Sequence, residues 1–451
     1  MLKENLLQKY NVPVPRYTSY PTVPNWNDHI DKQQWISNFR EQFRIHNKKE
    51  GISLYLHLPF CESLCTYCGC NKKITTNHSV EGEYLDAIIK EWHLYLELMD
   101  APPVIREIHL GGGTPTFFSP SNLGRLMNAL FEKAMIHPDH EFSFEGHPNN
   151  TTFTHLKALY DLGFKRVSFG VQDNDPEVQR IINRIQPVEN VKKVTEWARE
   201  IGYKSVNYDL IYGLPKQTLA SIERTVKECI ELKPDRIAFY SYAHVPWTSK
   251  GQRLFDENDL PGPSEKLALY HLGKELFTAN GYTDIGMDHF ALPGDELFIA
   301  HTEGRMHRNF MGYTTQNTSM LLGLGVSSIS DAGNAFAQNN KTIHDYYRMI
   351  NAGELAIEKG YILSEEDLAF RKYILDLICR GKVEFQPEHR HLIAERSMQK
   401  LVDLKADGLL NFVGAESIQV TPLGRNFIRN ICSAIDQYQL TKEGSKFSKA
   451  I

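Results

Sequence analysis

From residue 50 to about 245, short apolar runs alternate with longer stretches in which apolar residues recur three and four apart. That alternation predicts βα units and a parallel sheet. The predicted strands are Ile52–Leu58 (ISLYLHL), Ile105–Leu110 (IREIHL), Glu141–Glu145 (EFSFE), Arg166–Val171 (RVSFGV), Ser205–Ile211 (SVNYDLI) and Arg236–Tyr242 (RIAFYSY). The amphipathic stretches between them predict helices over Val80–Met99, Ser121–Lys133, Val188–Ile201 and Leu219–Leu232. Six such units fit a partial barrel or a doubly wound sheet, and both place ligands beyond the carboxyl ends of their strands. At those ends stand a cysteine-rich loop, GGGTP (Gly111–Pro115), Glu145, Gln172, Asp209 and Ala243–His244.

After residue 250 the alternation fades into a region rich in Gly, Asp, His and Asn, with GMDHF (Gly286–Phe290), HRNFMGYTT (His307–Thr315) and LGLGVSSIS (Leu322–Ser330). It is expected to close over the strand ends. Helices over Ser364–Cys379 and Leu392–Asp407, then two apolar runs around a turn and a further helix, predict a mainly α, winged-helix-like C-terminal domain.

Composition adds limits to this picture. At 451 residues the chain suits two or three domains, and its net charge of −5 offers no global basic field for nucleic acid or an anionic membrane. The N-terminus mixes Lys3, Glu4, Lys9 and Arg16 into its apolar residues, unlike a secretory signal, and no apolar run is long enough to cross a bilayer. The expectation is a soluble, cytoplasmic protein with reduced thiols.

Four of the seven cysteines fall within ten residues, spaced Cys61-x3-Cys65-x2-Cys68-x-Cys70. Zinc sites usually divide their ligands into two distant pairs, and no second pair is present. Disulfides conflict with the expected compartment. Three thiolates at this spacing reach three corners of an iron–sulfur cube and leave one iron open. The glycines of GGGTP permit positive φ and close backbone approach to a ligand.

The cysteine spacing, with Tyr67 just before Cys68 on the loop after the first strand, resembles the radical S-adenosylmethionine (SAM) enzymes. Further stretches resemble one family within them, the oxygen-independent coproporphyrinogen III oxidases, or coproporphyrinogen dehydrogenases. These are PRYTSYPT (Pro15–Thr22), SLYLHLPFC, CGCN, HLGGGTPT, GVQ, NYDLIYGLPKQT, GMDHFALP, HRNFMGYTTQ and IQVTPLGRNFIRNIC, spread over essentially the whole chain. The resemblance implies a partial (β/α)6 TIM-like barrel of the radical SAM type over 46–250. An N-terminal segment (1–45) would cover the active site, an elaboration (251–358) would close the substrate site, and the C-terminal domain would span 359–451.

It also implies a [4Fe-4S] cluster on Cys61, Cys65 and Cys68 and two molecules of SAM. Tyr55, Gly112, Glu145 and Ile329 would contact the first SAM. Tyr67, Gly113, Thr114, Gln172, Arg184, Asp209 and Ala243 would contact the second. Cys70, a non-ligand whose role the spacing does not give, and Tyr55 are the candidate catalytic side chains. Taken without the resemblance, Tyr55 reads as core, Glu145, Gln172 and Asp209 as caps or turn formers, and Arg184 as a solvated helix residue.

The implied reaction is oxidative decarboxylation of two propionates of coproporphyrinogen III to vinyls. It gives protoporphyrinogen IX in anaerobic heme synthesis, through a 5′-deoxyadenosyl radical and with an unidentified electron donor and acceptor. Relatives suggest a monomer. Arg16 and Arg308 are candidate partners of the propionates, and His289 and His307 candidate proton carriers. The chain departs from the family at Gly146-His147-Pro148, where the family favours an apolar residue and an acid before the proline. Rival readings are the heme chaperones of the same family, a radical heme-modifying enzyme, and a zinc-stabilised interaction protein. Cys70 and PRYTSYPT, which the chaperones typically lack, argue for the dehydrogenase.

Overall fold

The computed structural model describes residues 4–414, 416–441 and 447–449. All six expected strands are present: β1 (Ile52–Leu58), β2 (Val104–Gly112), β3 (Met135–Gly146), β4 (Phe164–Gln172), β5 (Ser205–Tyr212) and β6 (Arg236–Ser241). They lie side by side in chain order, each neighbouring pair parallel. Sequential order without reversal belongs to a barrel wall, whereas a doubly wound sheet reverses at a central strand. Helices Val80–Leu96, Pro120–Phe131, Phe153–Asp161, Val188–Ile201 and Leu219–Glu231 form the connections. The fold is therefore a partial (β/α)6 barrel.

Each strand divides its residues by parity, because successive side chains point to opposite faces. Leu54, Leu56, Ile108, Leu110, Phe142, Phe144, Val167, Phe169, Val206, Leu210, Ile237 and Phe239 are buried in the main apolar core with residues of the surrounding helices. Burying a side chain of this kind contributes about 1.5–3 kcal/mol relative to leaving it exposed. The alternate positions carry polar groups, and Glu107, His109, Glu145, Arg166, Ser168, Asn207, Asp209, Arg236 and Tyr240 line the lumen. Those charges are paired or hydrogen-bonded. Arg166 meets Glu141 at 2.8 Å, Arg236 meets Asp295 at 2.5 Å, and Glu107 accepts from Ser53 (2.7 Å) and Thr314 (2.6 Å).

The division expected at residue 45 cuts through the helix Lys32–Glu50, whose Trp35, Phe39 and Phe43 recur every fourth residue and are buried in the barrel core. Asn47 ties this helix to the entry of β2 by donating to Pro102 O (3.0 Å) and accepting from Val104 N (2.8 Å). The region after 250 likewise does more than cover the strand ends. β7 (Thr283–Gly286) and β8 (His289–Ala291) extend the sheet antiparallel beyond β6. At the other edge β9 (Leu321–Leu324) runs parallel to β1, followed by β10 (Ile329–Asp331), β11 (Ala335–Asn339) and β12 (Ile357–Ile362). An open barrel has two unpaired edges, and these strands satisfy their backbone groups.

In the C-terminal region the helix Glu365–Arg380 precedes a three-stranded sheet of Lys382–Glu384, Ser417–Val420 and Leu410–Val413. The hairpin and sheet agree with the winged-helix-like expectation. The N-terminal segment packs here. Leu6, Leu7, Tyr10, Tyr17 and Tyr20 share a core with Phe427 and Ile431, and Tyr17 Oη donates to Asp436 at 3.0 Å. Arg16 reaches the barrel, donating to Ser241 O at the end of β6 (2.9 Å) and approaching Asp288 at 3.7 Å.

Candidate active site

Beyond β1 the chain forms a two-residue strand, Phe60–Cys61, paired parallel with Lys73–Ile74, so the cysteine loop is closed at its base. Its carbonyls are held by side chains. Asn183 donates to Leu64 O (2.8 Å), Gln252 to Tyr67 O (2.9 Å), Ser249 to Cys68 O (2.8 Å), and Lys72 to Cys68 O and Cys70 O (3.2 and 3.3 Å). All four cysteines line a cavity of about 630 Å³ over the barrel mouth.

Two thiols accept hydrogen bonds from protein donors, Cys61 from Thr114 Oγ1 (3.3 Å) and Cys65 from Arg184 Nη1 (3.7 Å). The Cys70 hydrogen bond, with help from Lys72 against burial, pulls the Cys68 thiol down to about 6. Burial pushes Cys61 up to about 11, against the Thr114 hydroxyl. Cys70, an exposed side chain, is raised well above its ordinary value chiefly by the Cys68 hydrogen bond, so Cys68 is the more acidic thiol of this pair. Among the described residues no three His, Cys, Asp or Glu side chains converge as one ion requires. The thiols stand instead around a space that suits a larger group.

The glycine turn answers chiefly to packing within the protein. A Cβ on Gly113 would lie 2.5 Å from Pro59 O, and one on Gly112 (φ +110°) would lie 2.7 Å from the His57 ring. The turn is stitched to the cysteine strand by Gly113 N to Leu58 O (2.8 Å) and Thr114 N to Phe60 O (2.9 Å). Its glycines let β2 pass directly beneath the cysteine loop, which brings Thr114 to Cys61.

The strand-end carboxylates are set apart by their neighbours. Burial opposes ionisation of Glu145, but His109 Nε2 (3.4 Å) and Gly112 N (3.3 Å) outweigh it and hold this carboxyl below its usual range. Asp209 accepts from Ser168 (2.8 Å) and Asn207 (2.9 Å), yet burial and the Glu145 charge raise it to about 6. Gln172 holds a left-handed φ of +68° where β4 ends, a conformation costly for a non-glycine residue and common at functional sites. Gly170 makes room there, since a Cβ would meet Gln172 Nε2 at 2.6 Å and Arg184 Nη2 at 2.9 Å.

Of the expected cofactor contacts, Tyr67, Gly112, Gly113, Thr114, Glu145, Gln172, Arg184 and Asp209 line this one cavity with the cysteines. Tyr55, Ala243 and Ile329 are not in its lining. Tyr55 lies just below, its hydroxyl 3.1 Å from His57 Nδ1 and its ring stacked on His109. Ile329 is a neighbour of Tyr55 across the sheet, because Tyr55 pairs with Gly323, where a Cβ would meet Ile329 O at 2.4 Å. Ala243 O accepts from Gln252, the same amide that holds Tyr67 O, so Ala243 belongs to the clamp on the cysteine loop.

His147 lines the cavity too, and burial with the Arg184 charge keeps its ring neutral. His289 faces the lumen, pushed down to about 3 by burial and Arg308. Arg308 is buried with its ring-facing guanidinium 4.9 Å from the Tyr313 centroid, and its Nε and Nη1 have no hydrogen-bond partner among the described residues. His307, one residue away on the opposite face of its strand, lines a separate groove with Arg371 and Asp376 and stands apart from the site.

Sequence reasoning passed over His57, His109, Ser168, Asn207, Tyr240, Ser249 and Gln252. The strand residues had a signal: a polar side chain two positions from Tyr55, Glu145 or Asp209, or facing them across the sheet, shares their face. Ser249 and Gln252 lie at and in a single 3-10 turn, Lys250–Arg253, too short to carry a pattern, and had none.

The cavity fits the group implied by the spacing on three structural counts. Three thiols of the loop share it, two of them accept from fixed donors, and half-buried Arg184 beside them has a buried Nε without a partner among the described residues. Comparison with known proteins agrees. The sequence model of the radical SAM superfamily matches residues 55–229. Oxygen-independent coproporphyrinogen III oxidase from Escherichia coli K12 is 40% identical over 454 residues, spanning 99% of this chain and 98% of that protein. The enzyme of that name from a Synechocystis strain is 40% identical over 458 residues, 99% of this chain and 97% of its own. The solved structure of coproporphyrinogen III oxidase from Escherichia coli, described as a radical SAM enzyme, superposes with a TM-score of 0.88 at 39% identity, covering 96% of this chain and 99% of that one.

Proposed function

The chain belongs to the oxygen-independent coproporphyrinogen III oxidases, and from that membership we propose that the cavity under its cysteine loop is where two propionates of coproporphyrinogen III become vinyls. It is a radical SAM oxidoreductase of porphyrin biosynthesis. The observation that carries the assignment of the site is the convergence of Cys61, Cys65 and Cys68 with Gly112, Glu145, Gln172, Arg184 and Asp209 on one cavity at the strand ends.

Cys61, Cys65 and Cys68 hold the [4Fe-4S] cluster, and the remaining lining residues seat SAM; when bound, the two supply the radical that removes a hydrogen from a propionate side chain. The protein's part is placement. Thr114 and Arg184 stabilise the thiolates of Cys61 and Cys65. Glu145, held ionised, offers an acceptor to ammonium or hydroxyl groups, while Tyr55 fixes the floor of the cavity through His57 and His109. Arg308, buried and without a counter-ion among the described residues, suits a substrate carrying four carboxylates. Neutral His289 beside it accepts a proton without adding to the local charge.

Among the described residues no helix is long and apolar enough to cross a membrane. Clustered cysteines serving an iron–sulfur group rather than disulfides support a cytoplasmic setting. The heme-chaperone and heme-modifying readings are set aside because the relatives spanning the whole chain carry the oxidase name. The test is anaerobic turnover with reconstituted cluster, dithionite, SAM and coproporphyrinogen III, following 5′-deoxyadenosine and tetrapyrrole mass. Loss of two carboxyl groups, abolished by Cys65→Ser, is the expected result. A tetrapyrrole that keeps all four propionates while SAM is cleaved overturns the substrate assignment.

A further inference from the structure

A groove of about 540 Å³ lies behind the cysteine loop, lined by Lys72, Lys73, Lys341 and His344 around an apolar floor that includes Pro59, Val80, Ile343 and Tyr347. Lys73 and Lys341 are exposed. None of the three lysines forms an ion pair with a carboxylate among the described residues, although the chain as a whole carries −5. The acidic group in the lining is Glu83, and nearby Asp345 is engaged by Thr342 and Arg348.

The groove and the cysteine loop are two sides of one short piece of chain. Lys73 pairs with Phe60, and Ile74, 39% exposed, pairs with the candidate ligand Cys61. Lys72 lines both the groove and the cavity, and its ammonium holds the carbonyls of Cys68 and Cys70. A protein seated in the groove would therefore have one strand's thickness between it and the thiols, without entering the cavity that seats SAM.

We propose that this groove docks an acidic one-electron carrier protein that reduces the group held by Cys61, Cys65 and Cys68. The inference rests on the function proposed above, which requires an external electron. The docking step itself makes and breaks no bond: the carrier loses one electron and the group on the three thiols gains it. Basic side chains rimming an apolar floor attract a negative partner from a distance, speed association at low ionic strength and orient the docked face.

The test uses full-length protein with its cluster reconstituted and, as probe, a reduced acidic flavodoxin. Oxidation of the probe is followed by stopped flow at low salt and at about 0.3 M salt, where charges further apart than roughly 6 Å are screened. The variants are Lys73→Glu/Lys341→Glu, the milder Lys73→Gln/Lys341→Gln, and Lys400→Glu/Lys405→Glu as a control of equal charge change on the C-terminal domain. The expected result is an association rate at least about tenfold lower at low salt for the first variant and intermediate for the second. The control and the wild type should match, the difference should shrink at high salt, and SAM cleavage driven by dithionite should be equal in all. A carrier rate unchanged in Lys73→Glu/Lys341→Glu, or lowered equally in the control, overturns the proposal. If dithionite drives no SAM cleavage even in the wild type, the functional reading fails, and calorimetric binding of the probe to the same proteins still decides whether the surface docks it.

Discussion

Arg184 bridges Cys65 and the end of β4, donating through Nη1 to the Cys65 sulfur at 3.7 Å and through Nη2 to Gly170 O at 2.5 Å. One side chain thus fixes the cysteine loop relative to the barrel and sets a positive charge beside the thiols. Hydrogen bonds involving a charged group contribute about 1.5–3 kcal/mol. Arg184→Met should weaken SAM binding by roughly ten- to a hundredfold on that scale while leaving the circular dichroism spectrum intact. Equilibrium dialysis of the reconstituted protein with SAM measures it, and unchanged affinity would remove Arg184 from the site.

The cysteines should separate into two classes. Serine at Cys61, Cys65 or Cys68 should abolish iron retention and visible absorption. Cys70→Ser should keep both, because Cys70 stands outside the three-thiol set of Cys61, Cys65 and Cys68. Iron and acid-labile sulfide analysis of the four variants distinguishes the classes, and a cluster lost equally from Cys70→Ser contradicts the assignment.

Asp209 makes the site sensitive to pH. Its folded value of about 6 lies above the ordinary 3.8, with burial the main cause and Glu145 the next. The folded state therefore holds this proton where the unfolded chain has released it. Stability contributed by protonated Asp209 is fully present below pH 3.8, declines as pH rises toward about 6, and is absent above it. Asp209→Asn should raise the melting temperature at pH 8 relative to wild type and have little effect at pH 4. The same change should remove an inflection near pH 6 from SAM affinity, where wild type binds better on the alkaline side. Melting curves and calorimetry across that range test both, and an identical inflection in the variant would show that another group titrates.

Arg308 should show opposite effects on stability and function. Its guanidinium is buried, with Nε and Nη1 unpartnered among the described residues, a costly arrangement in a folded chain. Arg308→Met should leave the fold as stable or more stable, and raise KM for the tetrapyrrole at least about tenfold, in proportion to a lost charged hydrogen bond. A variant that unfolds readily yet binds the substrate normally would make Arg308 a structural residue.

Much of this architecture could be read from the chain because β1 to β6 each combine an apolar run with a turn or polar residue at the end. Lys32–Glu50 was not, since its buried residues Trp35, Phe39 and Phe43 form a stripe one residue wide in an otherwise charged segment. The strands of β7 to β11 are three to five residues long and take their conformation from the sheet edges they complete, so no periodicity of their own announces them. At the site, chemically distinctive residues such as the cysteines, Glu145 and Arg184 stood out by type or by resemblance. Ala243 acts through its carbonyl, and Ile329 is placed by its neighbour Gly323, features that no side-chain pattern encodes.

The alternation within the strands means that adjacent residues have separate duties. In Phe142-Ser143-Phe144-Glu145, the phenylalanines are packed among the helices while the serine and glutamate face the lumen network. A substitution scan along any of these strands should therefore oscillate with period two, thermal tolerance failing at one parity and turnover at the other. The outer wall can be rebuilt for hardiness without touching the chemistry, and the inner surface can drift toward new substrates without loosening the shell.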